Sequence, residues 1–315
     1  MKDASDDDAE PGSVDPPADP LADHAAATLR ARVASRVADV MAARARVVEP
    51  SGGADGAGDT EAVHDYRVGL RRLRSALRAL RAMWTKRILR PLEQALKALA
   101  DATGDVRDEE VLEETLAKLK LEGETSQALA VWRRGRSRRL LGARRVAARK
   151  LAGADLGGQL KQTLHAVEVV MATPPAHPLT LHRLAKRSVG DMLANVFKGA
   201  METDKDDVEG MHALRICVKR LRYGIELVFE GGATSAALKA AAKLQKRLGE
   251  LHDLDEAKVR IGRSWGLDKQ VRCQIADRLA DQRHKVANKA ARDLDDAVPD
   301  LVEEVHALIA SLDVR

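Results

Sequence analysis

The sequence predicts an all-α protein, and three observations carry that prediction. Apolar residues recur three and four positions apart through most of the 315 residues. No segment shows the period-two alternation of a half-buried strand. A strongly basic stretch that reads as one helix, Val63 to Arg78, returns 148 residues later as Met211 to Tyr223, carrying His64 to His212, Arg67 to Arg215, Arg71 to Lys219, Arg72 to Arg220 and Arg74 to Arg222.

Taken in order, residues 1–20 hold seven acids, one base and four prolines, the composition of a disordered tail. Its acidity also fits an internal polyanion mimic that occupies a basic surface until a ligand displaces it. Residues 21–48 are helical, with Leu29, Val33, Val37, Val40 and Met41 as the apolar side. Pro50 to Asp59 is a glycine- and aspartate-rich loop, and Asp59 or Thr60 can cap the next helix, which ends near Trp84. Pro91 suits the first turn of a helix that runs through Leu92, Leu96 and Leu99 and stops at Gly104. Asp108 then opens another helix. Residues 124–152 form a long helix in which nine of the eighteen positions from Arg133 to Lys150 are basic and none is acidic. Thr173 to Pro178, with three prolines, divides a first helical repeat (21–173) from a second (179–315). Helices are expected at 179–201, 207–230, 234–248, 253–262, 267–294 and 298–313.

The duplicated helix is the informative one. At about 100° per residue, His64, Arg67, Arg71, Arg74 and Arg78 fall within roughly 80° of arc, while Tyr66, Leu70, Leu73, Leu77 and Leu80 cluster about 120° away. One face can be buried while the other presents cations. Like charges at this spacing each destabilise a helix by roughly 0.2–0.5 kcal/mol, so a doubled basic stripe points to anion binding rather than to a solvated face. The copies are unequal: Arg78 corresponds to Glu226 and Arg81 to Phe229. Arg72 and Arg220 lie about 80° to the other side of the stripe's histidine, at its edge.

A second spacing is shared. Leu99 to Gly104 is followed by Asp108, and Leu244 to Gly249 by Asp253, Gly-x3-Asp in each case. Both aspartates can be helix caps, Asp253 with Glu256 at capping-box spacing; alternatively they reach back to orient arginines of the marker helices.

Charge sets the partner class. The net charge is +5, but residues 1–20 carry −6, leaving 52 bases against 41 acids, or +11, on the remainder. A basic body implies a polyanion. Seven aromatic residues offer little platform for stacking bases, so the composition favours recognition through phosphates alone. Cys217 and Cys273 form neither a disulfide framework nor a zinc spacing. With no apolar leader and no run long enough to cross a bilayer, the expected setting is the cytoplasm, with no membrane partner.

The paired His-x2-Arg-x3-Arg/Lys-Arg-x-Arg helices and the paired Gly-x3-Asp motifs resemble the CHAD family, the conserved histidine α-helical domain, over roughly residues 25–310. The resemblance implies a single helical domain of two pseudosymmetric bundle halves that binds inorganic polyphosphate, associates with polyphosphate granules and has no established catalytic activity. The residues it implicates are His64, Arg67, Arg71, Arg72, Arg74, Arg78, His212, Arg215, Lys219, Arg220 and Arg222. Arg81, Arg133, Arg138, Arg278 and Arg283 are secondary candidates from their basic segments.

Enzymatic alternatives have less support. Neither a Gly-x4-Gly-Lys-Ser/Thr loop, a Gly-x-Gly-x2-Gly turn nor a His-Glu-x2-His pair occurs, and no metal or cofactor is predicted. The doublets His64-Asp65 and His252-Asp253 allow a metal-dependent phosphohydrolase, but His212 is followed by Ala213. A nucleic-acid-associated helical protein is the other alternative, with nucleic acid the weaker partner. His64 and His212 can donate to phosphate or turn cationic as pH falls, or can pin their helix to a neighbour by a neutral hydrogen bond.

Overall fold

The computed structural model describes residues 19–49, 61–229 and 235–312, and among them there are helices and no strands. The acidic segment 1–18, the loop around Pro50 to Asp59 and the expected cap at Asp59 or Thr60 lie outside the described residues.

Helix α1 (Pro20–Val48) starts where the side chain of Asp19 accepts from the backbone of Leu21 and Ala22, with Pro20 at the first helical position. The marker helix α2 (Ala62–Ala79) follows and ends in a tighter turn, Leu80–Ala82. Tyr66, Leu70, Leu73 and Leu77 are fully buried, so the apolar arc of α2 faces inward and the basic arc is left over. Gly69 lets α1 lie close: a Cβ there would stand 3.0 Å from Val40 Cγ2.

Helix α3 spans Lys86–Asp101, α4 Gly104–Ala117, α5 Gly123–Ala152 and α6 Ala154–Ala172. After the proline-rich connection come α7 (Leu181–Leu184), a wider turn at Ala185–Val189, and α8 (Gly190–Glu202), continuous with it. The second marker helix α9 covers Val208–Val228, with Asp207 capping Gly210 N. Two long helices close the chain, α10 (Ser235–Gly262) and α11 (Lys269–Ala310).

The main core runs from Leu29 on α1 through the inner faces of α2 and α9 to Leu301 and Val305 on α11, across both stretches of the sequence repeat. A smaller cluster, including Leu112, Leu129, Leu254 and Ile275, joins α4, α5, α10 and α11.

Arginines fasten the C-terminal ends of helices, where carbonyls have no intrahelical donor. Arg30 donates to the carbonyls of Met171 (2.6 Å) and Thr173 (3.0 Å), Arg32 to those of Leu227 and Val228 (both 2.7 Å), and Arg44 to that of Leu151 (2.7 Å). All three guanidiniums come from α1.

Several boundaries differ from the sequence expectation. Pro91 is the sixth residue of α3, not in its first turn, and Pro299 lies inside α11, which merges the helices expected at 267–294 and 298–313. Each proline removes one backbone donor, which the packing of the flanking turns outweighs. Gly104 does not end α3: that helix stops at Asp101, and Gly104 begins α4 with Asp108 in the next turn. Gly249 ends nothing, because α10 continues through it, so Asp253 is mid-helix and not a cap. Residues 154–172, unassigned from the sequence, form α6.

Candidate functional site

Helices α2 and α9 lie against each other with their basic arcs on the same side of the core, and two open clefts border that contact. One, of about 560 Å³, is walled by Arg71, Arg74, Arg78 and the adjoining Arg81, by Lys86, Arg90, Glu93 and Lys97 of α3, and by Lys219, Arg220 and Tyr223 of α9. The other, of about 740 Å³, lies between His64, Arg67 and Arg71, Arg107 and Asp108 of α4, Arg215 and Lys219, and Lys246, Glu250, His252, Asp253, Glu256 and Arg260 of α10. Arg71 and Lys219 line both clefts.

The clefts differ in charge. The α3-side cleft has nine cations against the single acid Glu93. The α10-side cleft has eight cations against Asp108, Glu250, Asp253 and Glu256. Glu93, 4 % exposed, holds Arg81 through both carboxylate oxygens (2.5 and 2.6 Å) and touches Arg78 at 3.4 Å. By contrast Arg71, Arg74, Arg215, Lys219 and Arg220 form no ion pair among the described residues.

Crowded cations inside a half-buried space lose hydration. Burial lowers the pKa of Arg67, Arg74, Arg78 and Arg215, although a guanidinium stays protonated. The Lys219 ammonium is pushed down to about 7 by burial and then by Arg71 and Arg215, with Asp253 opposing. Asp253 is itself raised by burial, against the pull of Arg215 and Arg107. Asp253 shares the α10-side cleft with Arg215 of the second marker helix and with Arg107 of α4, and forms an ion pair with neither among the described residues. Asp108 meets Arg260 of α10 at 3.4 Å.

Arg67 has two duties. Its guanidinium donates to the carbonyl of Ala100 at the end of α3 and, at 3.4 Å, to Thr103 Oγ1, while the residue also lines the α10-side cleft.

The histidines do not act alike. His64 faces the α10-side cleft, and burial followed by Arg107 lowers its pKa. His212 lines neither cleft; its Nδ1 lies 3.0 Å from Nδ1 of His252, which occupies the cleft wall instead. Burial lowers His212, and burial, Arg215, His212 and Lys219 push His252 down to about 3. Burial thus disfavours the cationic form of both His64 and His212. In the His64-Asp65 doublet, Asp65 turns out to Arg46 at 2.6 Å. Among the described residues no group of three His, Cys, Asp or Glu side chains could hold a metal ion.

Of the other sequence candidates, Arg72 (3.3 Å) and Arg222 (3.0 Å) share Glu226 outside both clefts, which explains the acid in the second copy. Arg133 pairs with Glu113 at 2.7 Å, Arg278 with Asp281 at 3.8 Å, and Arg283 with Asp255 at 3.0 Å. Arg138 is exposed on α5. None of these four lines either cleft. The sequence reading missed Lys86, Arg90 and Lys97, a stripe at helical spacing on α3, together with Arg107, Lys246 and Arg260. The first set was visible as a pattern; the others needed the tertiary structure.

A family model for the CHAD domain matches residues 41–262. The chain belongs to the CHAD family. This CHAD protein shares its fold with the crystal structure of the CHAD domain from the plant Ricinus communis, at a TM-score of 0.62 and 21 % identity, covering 90 % of this chain and 92 % of that one. It is similar also to PptA from Streptomyces chartreusis, at a TM-score of 0.58 and 16 % identity, covering 86 % and 98 %. A comparison with the curated proteins finds no match to this CHAD protein. Among the described residues no helix is long and apolar enough to cross a membrane.

Proposed function

We propose that this CHAD protein is a non-catalytic binding module for inorganic polyphosphate, held along the two clefts through charge-assisted hydrogen bonds to phosphate oxygens. The observation that carries the reading is the set Arg71, Arg74, Lys219 and Arg220: cations brought together from both marker helices, facing open space and without ion-pair partners among the described residues. Arg71 and Lys219 border both clefts, so one linear chain can pass from one to the other. Arg67, Arg78, Arg81 and Arg215 extend the cationic wall. The 148-residue sequence repeat supports reading the two marker helices as copies of one motif. In a cell, such a module would collect at polyphosphate granules in the cytoplasm.

A nucleic acid would find along the clefts the buried Tyr223, the imidazoles of His64 and His252, and no Phe or Trp on which to stack bases. Competition separates the two ligands: long-chain polyphosphate displaces DNA or RNA at equal phosphate concentration, and the reverse exchange is inefficient. The direct test is a titration of the wild type and of Arg71→Ala with Arg74→Ala and Lys219→Ala, using polyphosphate of defined length. Affinity should rise with chain length, fall steeply with salt as counterions are released, and drop at least tenfold in the variant. A folded variant that binds like the parent overturns the site. Shortening of the chain during incubation would show an activity and overturn the non-catalytic reading.

A further inference from the structure

The long helix α5 carries more positive charge than the fold uses. Of its nine cations between Arg133 and Lys150, three are taken up by acids of α4: Arg133 by Glu113, Arg136 by Glu109, and Arg144 by the buried Glu110. The other six, Arg134, Arg138, Arg139, Arg145, Arg149 and Lys150, are exposed and have no partner among the described residues. None lines the clefts.

The paired arginines fix how α5 is turned. At about 100° per residue they share roughly 80° of arc with the buried Leu129, Ala147 and Leu151. On the opposite side Arg134, Arg138, Arg145 and Arg149 fall within about 60°, and Arg139 with Lys150 make a second row about 80–160° further round. Between the rows lie Gly135 and Gly142, two turns apart, where an added Cβ would meet nothing within 4 Å. Packing does not require these glycines, and each weakens the helix relative to alanine. Together they leave a shallow groove along the axis, floored by backbone at the glycines and by Val146 beyond them, and flanked by cations over about 24 Å. On α11, Arg278 and Arg283 have acidic partners.

Resting on the cleft reading, we propose that the outer face of α5 is a second, separate seat for a linear polyphosphate chain, which makes the protein bivalent and able to bridge two chains. The rows are nearly all guanidinium, and the nearest aromatics, Trp132 in line with Arg139 and Lys150 and the exposed Trp265 beside it, stand only at the N-terminal end, so most of the face suits a run of phosphates. A bridging protein would draw chains together rather than only coat them.

A sandwich measurement on the full chain tests this. Protein captured on surface-tethered polyphosphate is offered a second, labelled chain in solution. Wild type should retain it. Arg134→Ala with Arg138→Ala, Arg145→Ala and Arg149→Ala, all at exposed positions, should be captured normally yet retain at least tenfold less. Arg71→Ala with Lys219→Ala should lose tight capture and keep a weaker mode that vanishes when the α5 changes are added. Retention unaltered by the α5 changes overturns the second seat and leaves the cleft reading intact; capture unaltered by the cleft changes overturns that reading instead. Gly135→Leu with Gly142→Leu keeps every charge and favours the helix, and should weaken retention at least threefold; no change overturns the groove. If the α5 changes abolish recruitment of labelled single-stranded DNA or anionic vesicles but not of polyphosphate, the ligand assigned to this face is wrong.

Discussion

His212 and His252 meet through their Nδ1 atoms at 3.0 Å, with ring centroids 4.5 Å apart. Such a contact needs one ring as donor and the other as acceptor, so it exists only while the pair is short of its full complement of protons. Both pKa values lie below the ordinary histidine value, His252 at about 3. As pH falls through 6.5 the unfolded chain takes up protons that the folded pair refuses, so stability present above pH 6.5 is lost progressively toward the folded values. Urea midpoints between pH 7.5 and 5 should fall in the wild type and fall less in His252→Asn. An equal fall in both assigns the pH sensitivity elsewhere.

Binding should depend on pH through Lys219. Its pKa of about 7 leaves a substantial fraction neutral at pH 7 and most of it neutral at pH 8.5, and a phosphate placed beside it favours the ammonium form. Affinity should therefore rise as pH falls from 8.5 to 6, with proton uptake on binding measurable by calorimetry in buffers of different ionisation enthalpy. Lys219→Met should flatten the dependence, and His64→Ala with His212→Ala should preserve it.

Glu93 neutralises part of the α3-side cleft. Glu93→Gln releases Arg78 and Arg81 toward a ligand, so polyphosphate affinity at low salt should increase several-fold. The same change leaves two half-buried guanidiniums without their carboxylate, and unfolding free energy should drop by about 1–3 kcal/mol, below the figure for a fully buried pair because both arginines are partly solvated. Titration and urea denaturation of one preparation measure the two effects together.

Arg67 and Arg71 are one helical turn apart and should separate stability from binding. Arg67→Ala removes the donor to Ala100 and should cost about 1–3 kcal/mol of stability as well as affinity. Arg71→Ala with Arg74→Ala relieves like-charge repulsion on α2, worth roughly 0.2–0.5 kcal/mol per pair, and should leave the denaturation midpoint unchanged or slightly higher while binding collapses.

The helical class and the inward apolar face of α2 were legible because both follow from a single period in the sequence. The basic arc of the marker helices was legible for the same reason, and its doubling named the family. Gly104 and Gly249 misled, since glycine permits a helix end without requiring one, and α10 gains more by continuing across its packing surface with α11. Pro91 and Pro299 misled in the same way: the loss of one donor is outweighed by burial on either side. The roles of Arg30, Arg32 and Arg44 depend on which helix ends fold back onto α1, and contacts 107 to 196 residues apart leave no local trace. The pairing of Arg72 and Arg222 with Glu226 was hidden likewise, because the acid reads as a flaw in the repeat until α2 and α9 lie together.

The guanidiniums of α1 that grip the ends of α5, α6 and α9 give this molecule a division of labour among its arginines. These three belong to a helix that contributes nothing to either cleft wall, so, Arg67 and the Glu93 pairs aside, charge beside a ligand can be added, removed or reversed without untying the bundle. Total basicity is accordingly a poor gauge of grip in such a chain: some of it is mortar.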